Sequence, residues 1–212
     1  MKRRKYVEGI LQQIRGFCNP RVELEQYVTP SEIAASMLAT IDEQFDDIAG
    51  RRVADLGTGT GVLAMGCTAL DADYVIGVDV DADALRVARE NVQDFDFGVD
   101  FLLADVTKLS AIMKQRFDTV VMNPPFGTKN NIGADVRFLE AALSVGEVVY
   151  SLHKTSTRNF VRKVCEQRGA SVEFLAELRY DLPKTYKFHR RNSVDIQVDF
   201  IRVENRSFPP VN

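Results

Sequence analysis

The fold is decided by residues 53–64, which read VADLGTGTGVLA. The first four residues have the pattern of a short buried strand, the three glycines are spaced G-x-G-x-G, and an apolar run of the helical type follows. Glycine allows positive φ and a close approach of the backbone to a ligand, and the first turn of the next helix offers free N–H groups. The stretch therefore predicts a strand–loop–helix unit with a ligand at its loop. The contacts predicted there are Gly57, Gly59, Thr60, Gly61 and Val62.

An acid precedes the first glycine and bears on the charge of the ligand. A loop that binds a nicotinamide dinucleotide reads G-x-G-x-x-G and places a pyrophosphate on the helix N-terminus. This chain has a different spacing, and Asp55 stands in front of the loop. A carboxylate there would repel a pyrophosphate and attract a cation such as an ammonium or sulfonium group. The pattern therefore favours a cationic ligand.

Two further acids follow strand-like runs. Residues 74–78 read as a buried strand that ends at Asp79, and an acid about 20 residues beyond a glycine-rich loop is the usual partner of ribose hydroxyls. Residues 101–104 read as the next strand, and Asp105 follows them. Either acid alone could simply cap a helix. Together with Asp55 they predict one crevice at the carboxyl ends of successive parallel strands.

Another strand-like run, residues 117–122, is followed by Asn123-Pro124-Pro125-Phe126. The two prolines fix φ and remove two backbone donors, so the carbonyls of Asn123 and Pro124 are held rigidly. Such a turn can present several acceptors to one exocyclic amino group, and the Phe126 ring can lie on a planar substrate. Accepting hydrogen bonds from that amine pushes electron density onto its nitrogen as it attacks. The alternative is a simple turn with Phe126 in the core.

The rest of the chain alternates strand-like and helical segments. A helical segment spans about 2–16, and Thr29-Pro30-Ser31-Glu32 predicts a helix with Thr29 as its N-cap and Glu32 completing a capping box. The order of segments predicts an α/β fold with a doubly wound, mostly parallel sheet and an antiparallel pair at its end. We expect a single domain over residues 1–204, with an N-terminal helical extension over about 1–28 and a disordered tail over 205–212.

Composition narrows the class of protein. The chain has 212 residues, of which 45% are hydrophobic, without an apolar run of membrane length. No signal-peptide core follows the basic start, so we expect an intracellular protein, cytoplasmic or nuclear. Cys18, Cys67 and Cys165 are scattered and read as reduced thiols, and with only two histidines no metal site is predicted.

The net charge of −3 does not indicate a nucleic-acid-binding protein, but the charge is uneven. Residues 184–191 interleave cations with aromatic rings, a combination suited to phosphate contact plus base stacking. A solvated charged face is the alternative. The candidate RNA contacts are Lys154, Lys187, Phe188, Arg190 and Arg191.

These motifs resemble a known family. DLGxGxG at 55–61, Asp79, Asp105 and NPPF at 123–126 are similar to a class I S-adenosylmethionine-dependent methyltransferase of the amino-group type. LEQYxTP at 24–30, NPPFGTKNN at 123–131, YSLHK at 150–154, AELRYDLP at 176–183 and YKFH at 186–189 resemble the methyltransferase-like protein 5 family. That family has cysteines at positions 58 and 60, where this chain has threonines.

The resemblance implies a Rossmann-like, seven-stranded, mostly parallel sheet with an antiparallel C-terminal strand. It implies S-adenosylmethionine as cofactor and direct methyl transfer to the N6 amine of an adenosine in small-subunit ribosomal RNA. Gln26 and Thr29 would approach the methionine end of the cofactor, and Val106 would line its site beside Asp105. The catalytic residues would be Asn123, Pro124, Pro125 and Phe126.

A partner is also expected. The third strand lies at one edge of the sheet in this class, and here it is apolar and lacks lysine and proline, which usually protect an edge. The resemblance implies a small methyltransferase-activator subunit, which would pair with this edge. The edge residues are Val99, Phe101, Leu102 and Leu103.

Two other functions remain open at this point. A protein glutamine methyltransferase acts on an amide, which is also a planar –NH2 group, although its motif usually ends in tyrosine. A cofactor-binding scaffold without catalysis would keep the sheet but would not need an intact Asn-Pro-Pro-Phe motif.

Overall fold

The computed structural model describes residues 2–127, 131–183 and 193–206. Its centre is a seven-stranded sheet with the order β3-β2-β1-β4-β5-β7-β6. Strands β1 to β5 are parallel to one another, and β7 runs antiparallel to both of its neighbours. The strands are β1 (Arg52–Leu56), β2 (Tyr74–Asp79), β3 (Asp100–Leu103), β4 (Phe117–Met122), β5 (Gly146–Lys154), β6 (Ala170–Pro183) and β7 (Ser193–Asn205). The predicted fold class is confirmed.

Helices cover both faces of this sheet. They are α1 (Lys2–Leu11), α2 (Ser31–Phe45), α3 (Val62–Ala69), α4 (Ala82–Asp94), α5 (Leu109–Ile112), α6 (Ala134–Val145) and α7 (Arg158–Gln167). One core includes Leu38 and Met65 and lies under α1 to α4, and the other includes Leu139 and Val161 and lies under α5 to α7. Because both faces are covered, most residues of the inner strands β1, β2 and β4 are buried.

The chain adds strands first on one side of β1 and then on the other side. From β1 it winds outward through β2 to β3 and then returns to β4 on the other side of β1. Strands β1 and β4 pair directly, with Asp55 opposite Val121. The carboxyl ends of these two strands form the switch point where open α/β sheets bind their ligands. Asp55 and Asn123 are both brought to that point.

Several predicted boundaries are corrected by the structure. Helix α1 ends at Leu11 and not near residue 16, and β7 continues to Asn205, inside the predicted tail. The predicted capping box at Thr29 is wrong, because α2 begins at Ser31 and the cap position is Pro30, with no side-chain cap bond. The Thr29 hydroxyl makes a different contact, which belongs to the active site.

No helix among the described residues is long and apolar enough to span a bilayer. Within the same residues, no group of three or more histidine, cysteine or acidic side chains is placed to hold a metal ion. Cys67 and Cys165 are buried and Cys18 is exposed, and all three are free thiols. Burial raises the pKa of the Cys67 thiol well above its usual value, which fits its role in the core.

Candidate active site

The glycine-rich loop after β1 has a backbone that only glycine adopts easily. Gly57, Gly59 and Gly61 have φ values of 74°, 55° and 90°. A Cβ atom on Gly57 would lie 2.9 Å from the Phe138 ring, and one on Gly59 would lie 2.8 Å from the Phe17 ring. The loop therefore offers bare backbone to a ligand, with one aromatic ring close to each of the first two glycines.

Asp79 at the end of β2 ties the next strand to this loop. Its carboxylate accepts hydrogen bonds from the backbone N–H groups of Gly59 at 2.8 Å and Asp81 at 2.9 Å. Burial raises the pKa of Asp79, although these N–H groups act in the opposite direction. Asp79 also lines the large cavity described below, so it can both shape the loop and meet a hydroxyl-bearing ligand.

Asp55 is a buried support of the same loop. Its Oδ2 accepts hydrogen bonds from Thr58 Oγ1 at 2.6 Å and from the Ala64 N–H at 3.0 Å, so it fixes the loop and the first turn of α3. Burial raises its pKa to about 7, against the effect of these two donors. Thr58 therefore supplies a hydroxyl that donates to Asp55. A cationic ligand near Asp55 would favour the ionised form of its carboxyl group over the protonated form.

Asp105, the third predicted acid, is placed at the same edge. Its carboxylate accepts hydrogen bonds from the Thr107 hydroxyl and backbone N–H, and it caps a 3-10 turn, Val106–Lys108. The Thr107 hydroxyl is the main reason that the pKa of Asp105 lies below its usual value. Asp105 therefore caps this turn and also lines the large cavity described below.

A cavity of about 370 Å³ lies along the carboxyl ends of the strands, beside a smaller one of about 40 Å³. The large cavity brings together these predicted residues: Gln26, Gly57, Gly59, Asp79, Asp105, Val106, Asn123 and Pro125. The smaller cavity lies between the glycine loop and Asn123, and its lining includes Thr29, Asp55, Thr60 and Val62. Most of the predicted cofactor residues therefore meet at one site.

Residues 15–29, which we call the strap, cross this site. The amide of Asn91 on α4 bonds both the backbone of Arg15 and the carbonyl of Thr60, and Gln26 Nε2 donates to Asp81 Oδ2 at 2.7 Å. The strap is thus pinned to α4 and to the glycine loop. The Gln26 side chain makes this anchor and also accepts a hydrogen bond at its Oε1 from the Arg21 N–H. Its predicted approach to the methionine end of the cofactor stays a prediction.

The Asn-Pro-Pro-Phe turn is held from the strap side. Asn123 Nδ2 donates to Thr29 Oγ1 at 2.9 Å, and Asn123 Oδ1 is shielded from bulk water. The Phe126 ring is 4% exposed and stacks on Tyr27, with 5.6 Å between ring centroids and an angle of 14° between their planes. The predicted stacking of Phe126 on a substrate differs from this arrangement, because Tyr27 and the apolar core already cover the ring.

A buried polar chain lies behind the turn. Ser151 Oγ is 3.0 Å from His153 Nε2, and His153 Nδ1 is 3.5 Å from Asp135 Oδ2. His153 is 1% exposed, so its side chain does not face the surface. Lys154, the last residue of β5, is partly exposed. The other predicted RNA contacts lie outside the described residues: Lys187, Phe188, Arg190 and Arg191.

Several residues that line the large cavity are not among the predicted site residues: Phe17, Tyr27, Val80, Asn131, Arg137 and Phe138. Arg137 donates to the Ile132 carbonyl and the Asn131 side chain, and so buttresses the segment between the turn and α6. Val80 could have been found because it directly follows Asp79. Phe17 and Phe138 lie at the glycine loop because the strap and α6 carry them there. The local sequence does not indicate the paths of these two segments.

The residues present fit S-adenosylmethionine. Thr60 Oγ1 is buried at the smaller cavity and has no hydrogen-bond partner among the described residues, which leaves it available to a polar ligand group. Asp79 can accept hydrogen bonds from ribose hydroxyls. The glycine loop leaves room for a ligand against its backbone, and the acids at the strand ends suit a ligand with a positive charge. The fold and the site define a class I S-adenosylmethionine-dependent methyltransferase with an Asn-Pro-Pro-Phe turn.

Comparison with known proteins agrees. The family model "Methyltransferase small domain" matches residues 32–145. The rRNA N6-adenosine-methyltransferase METTL5 of Danio rerio is 51% identical over 200 residues, which cover 93% of this chain and 97% of that protein. The Drosophila melanogaster protein of the same name is 47% identical over 96% of this chain and 97% of its own length. The chain belongs to the METTL5 family of rRNA N6-adenosine methyltransferases, which confirms the resemblance.

A solved structure gives the same result at the level of the fold. The crystal structure of a candidate RNA methyltransferase from Pyrococcus horikoshii superimposes with a TM-score of 0.86 at 38% identity, covering 97% of this chain and 98% of that one. The similarity therefore extends beyond the cofactor-binding half to the strap and the β6–β7 pair.

Proposed function

We propose that this protein methylates the N6 amine of an adenosine in structured RNA, and that this RNA is small-subunit ribosomal RNA. The observation that carries the proposal is the position of Asn123. It stands at the end of β4, lines the same cavity as Asp79 and Asp105, and is followed by two prolines. An amine acceptor therefore lies next to the cofactor site.

The turn can activate an amine without a covalent intermediate. The Asn123 side-chain oxygen and the Pro124 carbonyl accept hydrogen bonds from the two hydrogens of an exocyclic –NH2 group, which raises the electron density on its nitrogen. The prolines hold these acceptors in place before the substrate arrives. When bound, S-adenosylmethionine supplies an electrophilic methyl group and leaves as a neutral thioether. Because Asn123 Oδ1 is shielded from water, its hydrogen bond to the amine is stronger than it would be in solvent.

The choice of RNA over protein is supported by the relatives. The Danio rerio and Drosophila melanogaster proteins are named as rRNA N6-adenosine methyltransferases, and each matches this chain almost end to end. Lys154 at the rim of β5 and the basic residues of 184–191 would contact the RNA backbone. Such a substrate would require the protein in the nucleus or the cytoplasm, where ribosomal RNA is found.

The exposed edge of β3 supports an activator subunit as partner. Strand β3 is at the edge of the sheet, and Leu103 on it is 55% exposed. Phe95 and Phe97 stack on each other and pack against the core, so they are not the main exposed surface. A second chain that adds a strand to β3 would cover Leu103 and satisfy the open backbone groups of the edge. Replacing Leu102 by proline removes one ladder donor and should abolish co-purification with such a subunit.

The experiment that tests the proposed substrate compares three acceptors. Purified protein is incubated with labelled S-adenosylmethionine and, separately, with small-subunit rRNA, large-subunit rRNA and total protein. Label in small-subunit rRNA alone supports the proposal. Label in large-subunit rRNA would overturn the choice of subunit, and label in protein would favour the glutamine methyltransferase.

A further inference from the structure

The helix that follows β5 begins at the edge of the sheet that carries the site. Strands β4 and β5 are parallel, and Ser151 lies opposite Met122, the residue before Asn123. Strand β5 ends at Lys154, and a 3-10 turn then leads directly into α7. The turn and the first part of α7 therefore stand at the carboxyl ends of the strands. Their outer surface can contact a large substrate whose reactive base lies at Asn123.

This segment is strongly basic, although the chain as a whole is acidic. Residues 154–168 contain five cations and one acid, while the whole chain has a net charge of −3. Arg158 pairs with the buried Asp199, and Arg168 pairs with an acid of α6. The other three cations form no ion pair with a side chain that the structure describes: Lys154, Arg162 and Lys163. Unpaired cations on one surface favour an anionic partner.

An exposed aromatic ring lies beside these cations. Phe160 is in the first turn of α7 and is 56% exposed. Lys163 is its neighbour on the helix surface and is also exposed, whereas Val161 and Val164 are buried against the core. A nucleic acid matches this combination, because the ring can stack on a base while the cations contact phosphates.

Helix α7 presents these side chains from a fixed start. The Thr155 hydroxyl donates to Asp199 Oδ1 at 3.0 Å, and Arg158 Nε donates to Asp199 Oδ2 at 2.7 Å, so the turn is tied to β7. The Arg162 guanidinium lies over the Phe174 ring of β6, 5.2 Å from the ring centroid. Arg162 is therefore held in place without being neutralised. A surface that is ordered before binding loses less entropy when its partner arrives.

We propose that the exposed face of α7 binds an unpaired segment of the RNA beside the target adenosine, with Phe160 stacking on a base and the three unpaired cations contacting phosphates. This inference rests on the proposed function, because it assumes that the substrate is RNA. It places RNA contacts on α7 in addition to those proposed for residues 184–191. It also requires a single-stranded neighbour of the target, because a base stacked in a duplex does not offer its face to a side chain.

The first test uses tryptophan fluorescence, since the chain contains no tryptophan. Phe160→Trp places one at the proposed stack. Tyr6→Trp is the matched control, because Tyr6 is 58% exposed on α1, which packs on the opposite face of the sheet. A single-stranded RNA oligonucleotide should quench the fluorescence of Phe160→Trp and leave that of Tyr6→Trp nearly unchanged. The same oligonucleotide annealed to its complement should quench neither.

The second test measures affinity for the same two RNAs. Phe160→Ala should weaken binding of the single strand about 5- to 100-fold and change binding of the duplex little. Arg162→Gln together with Lys163→Gln should reduce the slope of log K against log salt by about 0.7 for each lost contact with a single strand. Lys2→Gln together with Lys5→Gln, at exposed positions on α1, is the control and should keep the wild-type slope.

Turnover separates this inference from the proposed function. With small-subunit rRNA, we expect Phe160→Ala to raise KM at an unchanged kcat and an unchanged cofactor Kd. A wild-type protein that methylates no RNA would overturn the proposed function. An active wild type with an unchanged KM in Phe160→Ala, or with unquenched fluorescence in Phe160→Trp, would overturn the inference alone. Equal losses of affinity for single strand and duplex would also overturn it, because they would show that Phe160 does not stack on an unpaired base.

Discussion

Asp79 accepts a hydrogen bond from the backbone N–H of Gly59, and the two atoms are 2.8 Å apart. The end of β2 therefore holds the glycine loop of β1 in the shape that meets the cofactor. Because the same carboxylate lines the cavity, we expect one side chain both to shape the loop and to accept hydrogen bonds from the ribose of the cofactor.

Asp79→Ala should weaken cofactor binding about 10- to 100-fold, since a charge-assisted hydrogen bond to the ribose is lost together with a loop contact. The measurement is the Kd for S-adenosylmethionine by calorimetry. Asp73→Ala, at an exposed acid just before β2, is the control and should bind normally. A wild-type Kd for Asp79→Ala would show that Asp79 does not contact the cofactor.

Asp55 should make stability depend on pH. Burial raises its pKa in the folded protein to about 7, above the unfolded value of about 4, so the folded state binds the extra proton between these pH values. The free energy of unfolding should therefore fall as pH rises through this window and level off above it. Urea unfolding at pH 5 and pH 8 measures the effect.

The comparison that isolates Asp55 is the Asp55→Asn variant, which should show a smaller fall over the same pH range. Saturating S-adenosylmethionine should also reduce the fall in the wild type, because a cation near the carboxylate lowers its pKa. The same pH dependence in wild type and variant would mean that Asp55 stays ionised in the folded protein.

The buried chain behind the catalytic turn should contribute to stability. His153→Leu leaves the Asp135 carboxylate and the Ser151 hydroxyl without their shared partner, and should lower the free energy of unfolding by about 2–4 kcal/mol. Asn159→Ala, at an exposed position on α7, serves as control and should change it little. The check is chemical denaturation at neutral pH. An unchanged midpoint for His153→Leu would indicate that water replaces the ring.

The basic residues of 184–191 should set the salt dependence of RNA binding. Changing Lys187, Arg190 and Arg191 to glutamate should weaken RNA binding and flatten the plot of log K against log salt, without changing cofactor affinity. Lys2 and Lys5, on the exposed face of α1, provide a control for charge reversal elsewhere on the surface when both are changed to glutamate. If wild type and triple variant bound RNA equally at two salt concentrations, the basic residues of 184–191 would be a solvated charged face and not an RNA contact.

Local sequence patterns predicted the sheet and the three acids at its strand ends. Each acid directly follows a run of apolar residues. Because parallel strands bring their carboxyl ends to one edge of the sheet, the order of these segments along the chain is enough to predict the crevice. The glycine loop was also predictable, because its positive φ values favour glycine, which the sequence has at each of these positions.

The contacts made by the strap were not predictable in this way. Thr29-Pro30-Ser31-Glu32 has the pattern of a helix cap, but tertiary contact with Asn123 uses the hydroxyl instead. Phe126 was expected on the substrate and packs on Tyr27, because the path of the strap decides which face of the turn is covered. Such contacts depend on how distant segments cross, which spacing along the chain does not encode.

The most direct test of the central claim is the nucleoside product made by wild type and by Asn123→Ala. Both proteins are incubated with saturating S-adenosylmethionine and unmodified small-subunit rRNA, and the RNA is digested and analysed by mass spectrometry. We predict N6-methyladenosine with the wild type. With Asn123→Ala we predict a rate lower by about 10²- to 10³-fold, at an unchanged cofactor Kd. Methylation at another nucleoside, or near-normal turnover by Asn123→Ala, would contradict the account.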